Sequence, residues 1–386
     1  MRNLSYFSAL FISLPTLWNL QDHKSNGLEI TPGCALKQAF KIRGQREECS
    51  AANNSTIPTF NEVALSLGLR PRLDAPNIVW KLAWELQKKI LPILHLRDPI
   101  KPKNLNICLS CLWWKALSGS AAKYPLYDDM LSYDMLPRFS RILVGRKLGR
   151  LFPRLHHGNV ELRTAFIDRA ISTEVEVAIN SNETKRSKVR LISFGAGYDV
   201  RSIKFCSTNV IDEAYELDRP EVVEAKQQMM ERLLLRRQHV EEPRSIALKR
   251  EHLPKLIGLD LNDKKIVRVV LQDILSIKST DNADSSWHTI FLFEGVMIHL
   301  DKGIPPELLR ICSSVLQNQQ IRDISSSGSL VFADRLESIP GGDIDAARKE
   351  LRKAGWRIQQ WCPNPGKARH MGTARQLKTF ADVNDT

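Results

Sequence analysis

What this sequence lacks removes several functions before any motif is read. It has a surplus of positive charge, 56 Lys and Arg against 43 Asp and Glu for a formal +13, but no dense basic tract that localises it. Short clusters such as Arg236-Arg237 and Lys264-Lys265 have no interleaved aromatic residues and read as solvated helix and loop faces, not as a groove that tracks phosphates. The charge still permits attraction to nucleic acid, an anionic membrane or an acidic protein; nucleic acid is the lesser expectation. Cysteine is sparse, 7 in 386 residues, odd in number and irregular in spacing, which argues against a disulfide framework. The lone C-x-x-C, Cys108 and Cys111, sits in NICLSCLWWKAL among apolar residues at helical spacing. Zinc wants a second ligand pair and none follows, so a buried helix face is expected. The G-x-S-x-G elbow of hydrolases and the H-E-x-x-H of zinc enzymes are absent. There is no internal repeat, and SSSGS at 325–329 reads as a turn before a strand.

Long apolar runs are missing too, with one exception at the start. Residues 1–21 contain Arg2, no acid, and a mostly apolar stretch from Leu4 to Leu20 interrupted by Pro15. That is too short and broken for a secure membrane span, and it resembles a leader for secretion or for an organelle, plastid or mitochondrion. A packed or disordered N-terminal arm on a cytoplasmic protein is the alternative. Sequons at Asn53 and Asn54 fit a secretory route but arise often by chance.

What is present is a chain with 43% hydrophobic residues, enough for a full core in one large domain or two modest ones. Residues 22–58 are polar and turn-rich, so 1–60 read as leader and linker. Helical spacing in NIVWKLAWELQKKILPILH, LNICLSCLWWKAL, YDDMLSYDMLPRFSRILV and RTAFIDRAISTEVEVAI marks 61–185 as a helical section, expected to form part of a lid. From 186 to 386 short strand-like runs alternate with helices. VRLISF, EAYEL, KIVRVVL, HTIFLF, SLVFADR and a closing WRIQQW read as strands, and PEVVEAKQQMMERLLLRR and DIDAARKELRKA as helices, the latter capped by Gly355. This alternation predicts an α/β fold, doubly wound around a mostly parallel sheet.

In such a fold ligands bind beyond the carboxyl ends of the strands, at a first turn where a Cβ would block the backbone. Gly195 and Gly197 in LISFGAGYDVRSIKF stand at that turn. The next strand ends at Asp218, 23 positions after Gly195, close to the roughly 20 at which an acid takes ribose hydroxyls. A dinucleotide fingerprint wants a third glycine before a helix N-terminus, yet here the chain runs Tyr198-Asp199-Val200-Arg201, and an acid there opposes a phosphate. No Walker lysine follows. An adenosine cofactor without phosphate, S-adenosyl-L-methionine, meets both constraints.

GAGYDVR, YELDRPEVVEAK, QDI and FLFEGVMIHL, in that order, together with HHGNVELRTAFID and CLWWKA, resemble the leucine carboxyl methyltransferase family over roughly residues 104–335. The ending GKARHMGTA is similar to a plant and algal branch of such proteins. The resemblance implies a seven-stranded class I methyltransferase fold and S-adenosylmethionine as cofactor. It implies that Gly195 and its turn receive the cofactor's amino-acid end, that Asp218 holds the ribose and that Asp273 and Ile274 meet the adenine. Arg163, with Lys115, would pair with the methionine carboxylate, and Glu294 would stand near the amino-acid end. Opposite charges around a zwitterion and the two-point fit of a guanidinium to a carboxylate agree with these roles.

Plainer readings stand beside them. Arg163 reads as a surface residue on its own, Asp218 as a cap for the following helix, and Asp260-Leu261 competes with Asp273-Ile274, which is preferred because it directly follows an apolar run. Val200 stands where the family has threonine. The expected reaction is methylation of an oxygen, carboxylate or hydroxyl, on a protein C-terminus or small molecule. A carboxylate acceptor needs no base, while a hydroxyl would draw on His299 or His370. A tRNA-modifying methyltransferase, or a cofactor-binding module without turnover, are the rivals.

Overall fold

VRLISF, EAYEL, HTIFLF and SLVFAD are buried on successive residues, as strands covered on both faces are. The fold is given by a computed structural model that describes residues 85, 106–117, 129–144, 154–180, 187–237, 247–276, 286–322, 326–336, 343–363 and 370–377. The expected leader, the linker and all of the helix at 77–95 except Glu85 lie outside these residues. The strands are β1 (Lys188–Phe194), β2 (Glu213–Asp218), β3 (Lys255–Gly258), β4 (Trp287–Glu294), β5 (Ser327–Asp334), β6 (Trp356–Pro363) and β7 (His370–Gln376). They form one sheet in the order β3-β2-β1-β4-β5-β7-β6. All neighbours pair in parallel except β7, which runs antiparallel between β5 and β6. The winding reverses between β1 and β4, which is the switch point where such sheets bind ligands.

The helices are α1 (Asn106–Ala116), α2 (Met130–Met135), α3 (Arg138–Val144), α4 (Arg154–Asn180), α5 (Arg201–Ser207), α6 (Pro220–Arg237), α7 (Lys264–Ser276), α8 (Ile304–Arg322) and α9 (Ile344–Lys353). One face of the sheet, with Ile192, Phe194, Phe291 and Phe332, is covered by α7, α8 and α9. The other, with Val189, Leu191, Ile290 and Val331, is covered by α4 and α5. A third cluster joins α1 and α2 to α6 and to Tyr198, Val200 and Ile203 after β1. Each fully buried Leu, Ile or Phe contributes about 1.5–3 kcal/mol. The consequence for function is that α1 and α4, from the helical section, are packed on the α/β section, α4 on a face of its sheet and α1 on the turn after β1.

Three expectations are corrected. KIVRVVL is not a strand but the body of α7, where Val267, Leu271, Ile274 and Leu275 are buried at helical spacing while Lys264, Lys265, Arg268 and Asp273 face solvent. Its β-branched residues favour a strand only weakly, and the period of burial decides. Asp263 caps its start, with Oδ1 accepting from the N–H groups of Lys265 at 3.0 Å and Ile266 at 3.2 Å. The third strand is instead KLIG, followed by Leu259-Asp260-Leu261. WRIQQW is not the last strand, since HMGTARQ returns as β7. Arg237 is not solvated either: it is buried and paired with Asp134. Gly355 does close α9 in the left-handed conformation, with φ +86°.

Candidate functional site

β1 and β4 are neighbours at the switch point, with Phe194 opposite Phe293. Those two rings stack at 4.3 Å, which holds the two loops beyond these strands side by side. After β1 come Gly195 and Gly197, at φ +59° and +52°, a conformation open to glycine and costly for other residues. The reason for their bareness differs from the expected one. A Cβ on Gly195 would stand 2.2 Å from Val296 Cγ2, and one on Gly197 3.3 Å from Cys108 Sγ. The glycines therefore let the turn pack on the chain after β4 and on α1. Cys108 and Cys111 are free thiols, half-buried on α1.

The turn is fastened to β2. Gly195 N–H donates to Leu217 O at 2.7 Å. Asp218 accepts from Gly197 N–H at 2.7 Å through one carboxylate oxygen and from Arg219 N–H at 2.8 Å through the other. It thus reaches across to the glycine turn, not along α6 as a cap would. Burial raises its carboxyl above the ordinary value and the two N–H bonds offset part of that rise.

After β4 the acid Glu294 stands at the centre of a charge cluster. Arg163 Nε donates to its Oε1 at 2.7 Å, Arg201 Nη1 to its Oε2 at 2.7 Å, and Lys115 Nζ lies 3.3 Å away. Lys115 also meets Asp199 at 3.1 Å. Arg201 pairs with Asp199 as well, and its Nε donates to Asp168 at 2.6 Å, with Lys204 3.1 Å from the same carboxylate. Burial would push the Glu294 carboxyl up, but Lys115, Arg201 and Arg163 outweigh it and hold it well below its ordinary range. Asp199 is likewise lowered, burial being overcome by Arg201 and Lys115. Burial would lower Arg163, yet Glu294 carries its guanidinium above the ordinary value.

The turn beyond Glu294 is held from β5. Asp334, fully buried, accepts from the N–H groups of Val296 at 2.6 Å and Met297 at 2.8 Å. This sets Val296 against Gly195.

Of the residues expected to serve a ligand, Lys115, Arg163 and Glu294 therefore meet in one cluster, and Gly195, Gly197 and Asp218 form the turn beside it. Asp273 and Ile274 do not join them. Asp273 is exposed on α7 and Ile274 points into the core, because the run before them is a helix and no strand end lies there. The acid that does follow a strand is Asp260, beyond β3, where Leu259 N–H donates to Asp218 O at 2.8 Å. Arg201 and Asp168 have no role assigned by sequence alone, and Asp199 only that of opposing a phosphate, although GAGYDVR and FID contain them. The signal was a set of charged residues inside otherwise apolar segments. His370 is buried and stacks on Trp361 at 4.7 Å, and burial holds its imidazole down at about 4. His299 is exposed, one turn past Glu294.

A family profile of leucine carboxyl methyltransferase matches residues 113–311, more than half of the chain and the whole stretch from Lys115 to Glu294. The chain belongs to this family. As a leucine carboxyl methyltransferase family protein it is an enzyme that uses S-adenosylmethionine as cofactor. No curated protein matches its sequence significantly. Among solved structures, magnesium protoporphyrin IX methyltransferase from Synechocystis PCC 6803, with S-adenosylmethionine bound, is similar over 57% of this chain and 83% of its own at 12% identity and a TM-score of 0.31. LepI in complex with S-adenosylmethionine is similar over 97% of this chain and 99% of its own, at 12% identity and TM-score 0.31.

The methyltransferase's own residues fit the cofactor. Lys115, Arg163, Arg201 and Lys204 face Asp168, Asp199 and Glu294, so charges of both signs stand side by side, as the ammonium and carboxylate of an amino acid require. Arg201 Nη2 is buried with no hydrogen-bond partner among the described residues, a donor such a carboxylate would satisfy.

Proposed function

We propose that this methyltransferase methylates an oxygen, in the first place a carboxylate and otherwise a hydroxyl, on a protein C-terminus or a small molecule. The family's carboxyl-directed chemistry supports this, and the observation that carries it is the gathering of Lys115, Arg163 and Arg201 on Glu294 beside the left-handed bend at Gly195. The cofactor supplies a methyl group made electrophilic by its sulfonium. The chain binds and orients.

In this reading Arg163, with Lys115 and Arg201, receives the methionine carboxylate, and Glu294 receives the ammonium. Asp218 accepts the ribose hydroxyls, since each of its oxygens keeps a lone pair after taking one backbone N–H. Asp260 with Leu261 replaces Asp273 and Ile274 beside the adenine. For a carboxylate acceptor, alignment and exclusion of water suffice without a base. For a hydroxyl acceptor the exposed His299 is the base in reach of solvent; His370, buried and titrating at about 4, is ill suited to that work near neutrality.

The test is to incubate the purified protein with methyl-labelled cofactor and fractionated cell extract. Label that mild alkali releases as volatile methanol marks a carboxyl ester and is the expected result. Alkali-stable label on a small molecule or protein marks the hydroxyl arm. Label in RNA overturns the proposal in favour of tRNA modification, for which the net charge of +13 is the argument. Cofactor binding with no labelled product in any fraction overturns it in favour of a silent module.

A further inference from the structure

Lys226 lies on α6, and its side chain is 2% exposed. Its ammonium is paired with Glu216 of β2, also 2% exposed, and donates to the main-chain carbonyl of Asp199 at 2.5 Å. Burial raises the Glu216 carboxyl above its ordinary value, and Lys226 offsets that only in part. A buried ion pair of this kind is a poor source of stability, since an apolar side chain of similar volume fills the same space as well or better. The same face of α6 shows that alternative in use, at Met229 and Met230. What methionine lacks at 226 is a donor for the Asp199 carbonyl.

That carbonyl belongs to the short stretch between Gly197 and Arg201. Its own side chain holds Lys115 at 3.1 Å and pairs with Arg201, while Asp199 Oδ1 also accepts from Arg201 N–H at 3.1 Å at the start of α5. Val200, where the family has threonine, offers no capping hydroxyl there. The stretch is thus held by charges above and by Lys226 through its backbone.

We propose that Lys226 is a positioning residue for the cofactor: its ammonium pins the main chain at Asp199, and through Asp199 sets Lys115 and Arg201 where the methionine end of S-adenosylmethionine is received. The inference rests on the cofactor site proposed for this cluster. Lys226 acts through Asp199 and on no reacting atom. Glu216 is the counter-charge of that ammonium. A stretch that holds its receptive arrangement about a tenth of the time binds about tenfold more weakly.

The experiment uses the full chain. Lys226→Met alone strands the Glu216 carboxylate and can impair folding, so the decisive variant is the uncharged pair Lys226→Met with Glu216→Gln. Three quantities are read in wild type and variant: thermal unfolding, amide hydrogen exchange of the cofactor-free protein, and the Kd for S-adenosylmethionine by calorimetry. The expected result is unfolding close to wild type, faster exchange confined to residues 195–201 with β7 unchanged, and a Kd about tenfold higher. Wild-type affinity with unaltered exchange at 195–201 overturns the proposal. So does exchange that rises equally in β7, which marks a merely structural pair. Failure of the wild-type chain to bind S-adenosylmethionine is a separate outcome that removes the underlying site first.

Discussion

Arg201 shows how much a single residue decides at this site. It is buried, bonded to Asp168, Asp199 and Glu294, and it ties α4, the glycine turn and β4 together. Arg163 is its neighbour in the cluster but has a narrower task, so the two predict different failures. Arg163→Lys keeps the charge and loses the planar fork. It should weaken S-adenosylmethionine binding by roughly tenfold, or about 1.4 kcal/mol, in a calorimetric titration, with a smaller change in the urea midpoint. Equal affinity in the variant would take Arg163 out of the cofactor site.

Glu294 carries a pH dependence whose sign comes from its environment. Its carboxyl lies well below the ordinary 4.5 because Lys115, Arg201 and Arg163 outweigh burial. The unfolded chain therefore binds a proton at Glu294 at a higher pH than the folded one does. The stability it contributes is fully present above 4.5 and is lost as pH falls through the depressed folded value. Urea midpoints measured from pH 6 downward should fall in the acid limb, and Glu294→Gln should flatten that fall.

Among the elements, α7 teaches most about reading this chain. KIVRVVL is as apolar and β-branched as a strand, and only the spacing of its buried residues marks a helix. The two acids in competition for the adenine end part company accordingly. Asp273→Ala, on an exposed helix face, should shift stability by no more than about 0.5 kcal/mol and leave the Kd for S-adenosylmethionine unchanged. Asp260→Ala should raise that Kd in the same titration. The opposite pattern would restore the sequence-based choice.

Other elements were legible because two signals agreed. β1 combines an apolar run with glycines at its end, and α6 has apolar spacing over 18 residues that begin with a proline, its observed span being Pro220–Arg237. β3 was missed because four residues, KLIG, carry too short a pattern to compete with the longer run beside them. β7 was missed because HMGTARQ is polar in composition, and its burial comes from lying between β5 and β6.

At the scale of the whole molecule, the site is shared between α1, α4, α5, β1, β2 and β4, so occupation by cofactor should be felt by the entire fold. A ligand that binds only the native state at about 100 times its Kd stabilises by about 2.7 kcal/mol. Thermal unfolding with S-adenosylmethionine in that excess should move upward accordingly, while NAD, whose pyrophosphate meets Asp199 and lacks a third glycine, should leave it in place. An equal shift with both would deny the site its selectivity.

By itself the sequence determined the α/β alternation, the glycine turn after β1, the acid at Asp218 and the order of family motifs, because each depends on residues adjacent in the chain. Tertiary structure alone decided that Lys115, Arg163, Asp168, Asp199, Arg201 and Glu294 form one network, that Asp260 and not Asp273 follows a strand, and that Lys226 supports the turn from α6. Those facts depend on which surfaces the packing brings together across 179 positions from Lys115 to Glu294, and contact between such distant residues leaves no local pattern to read.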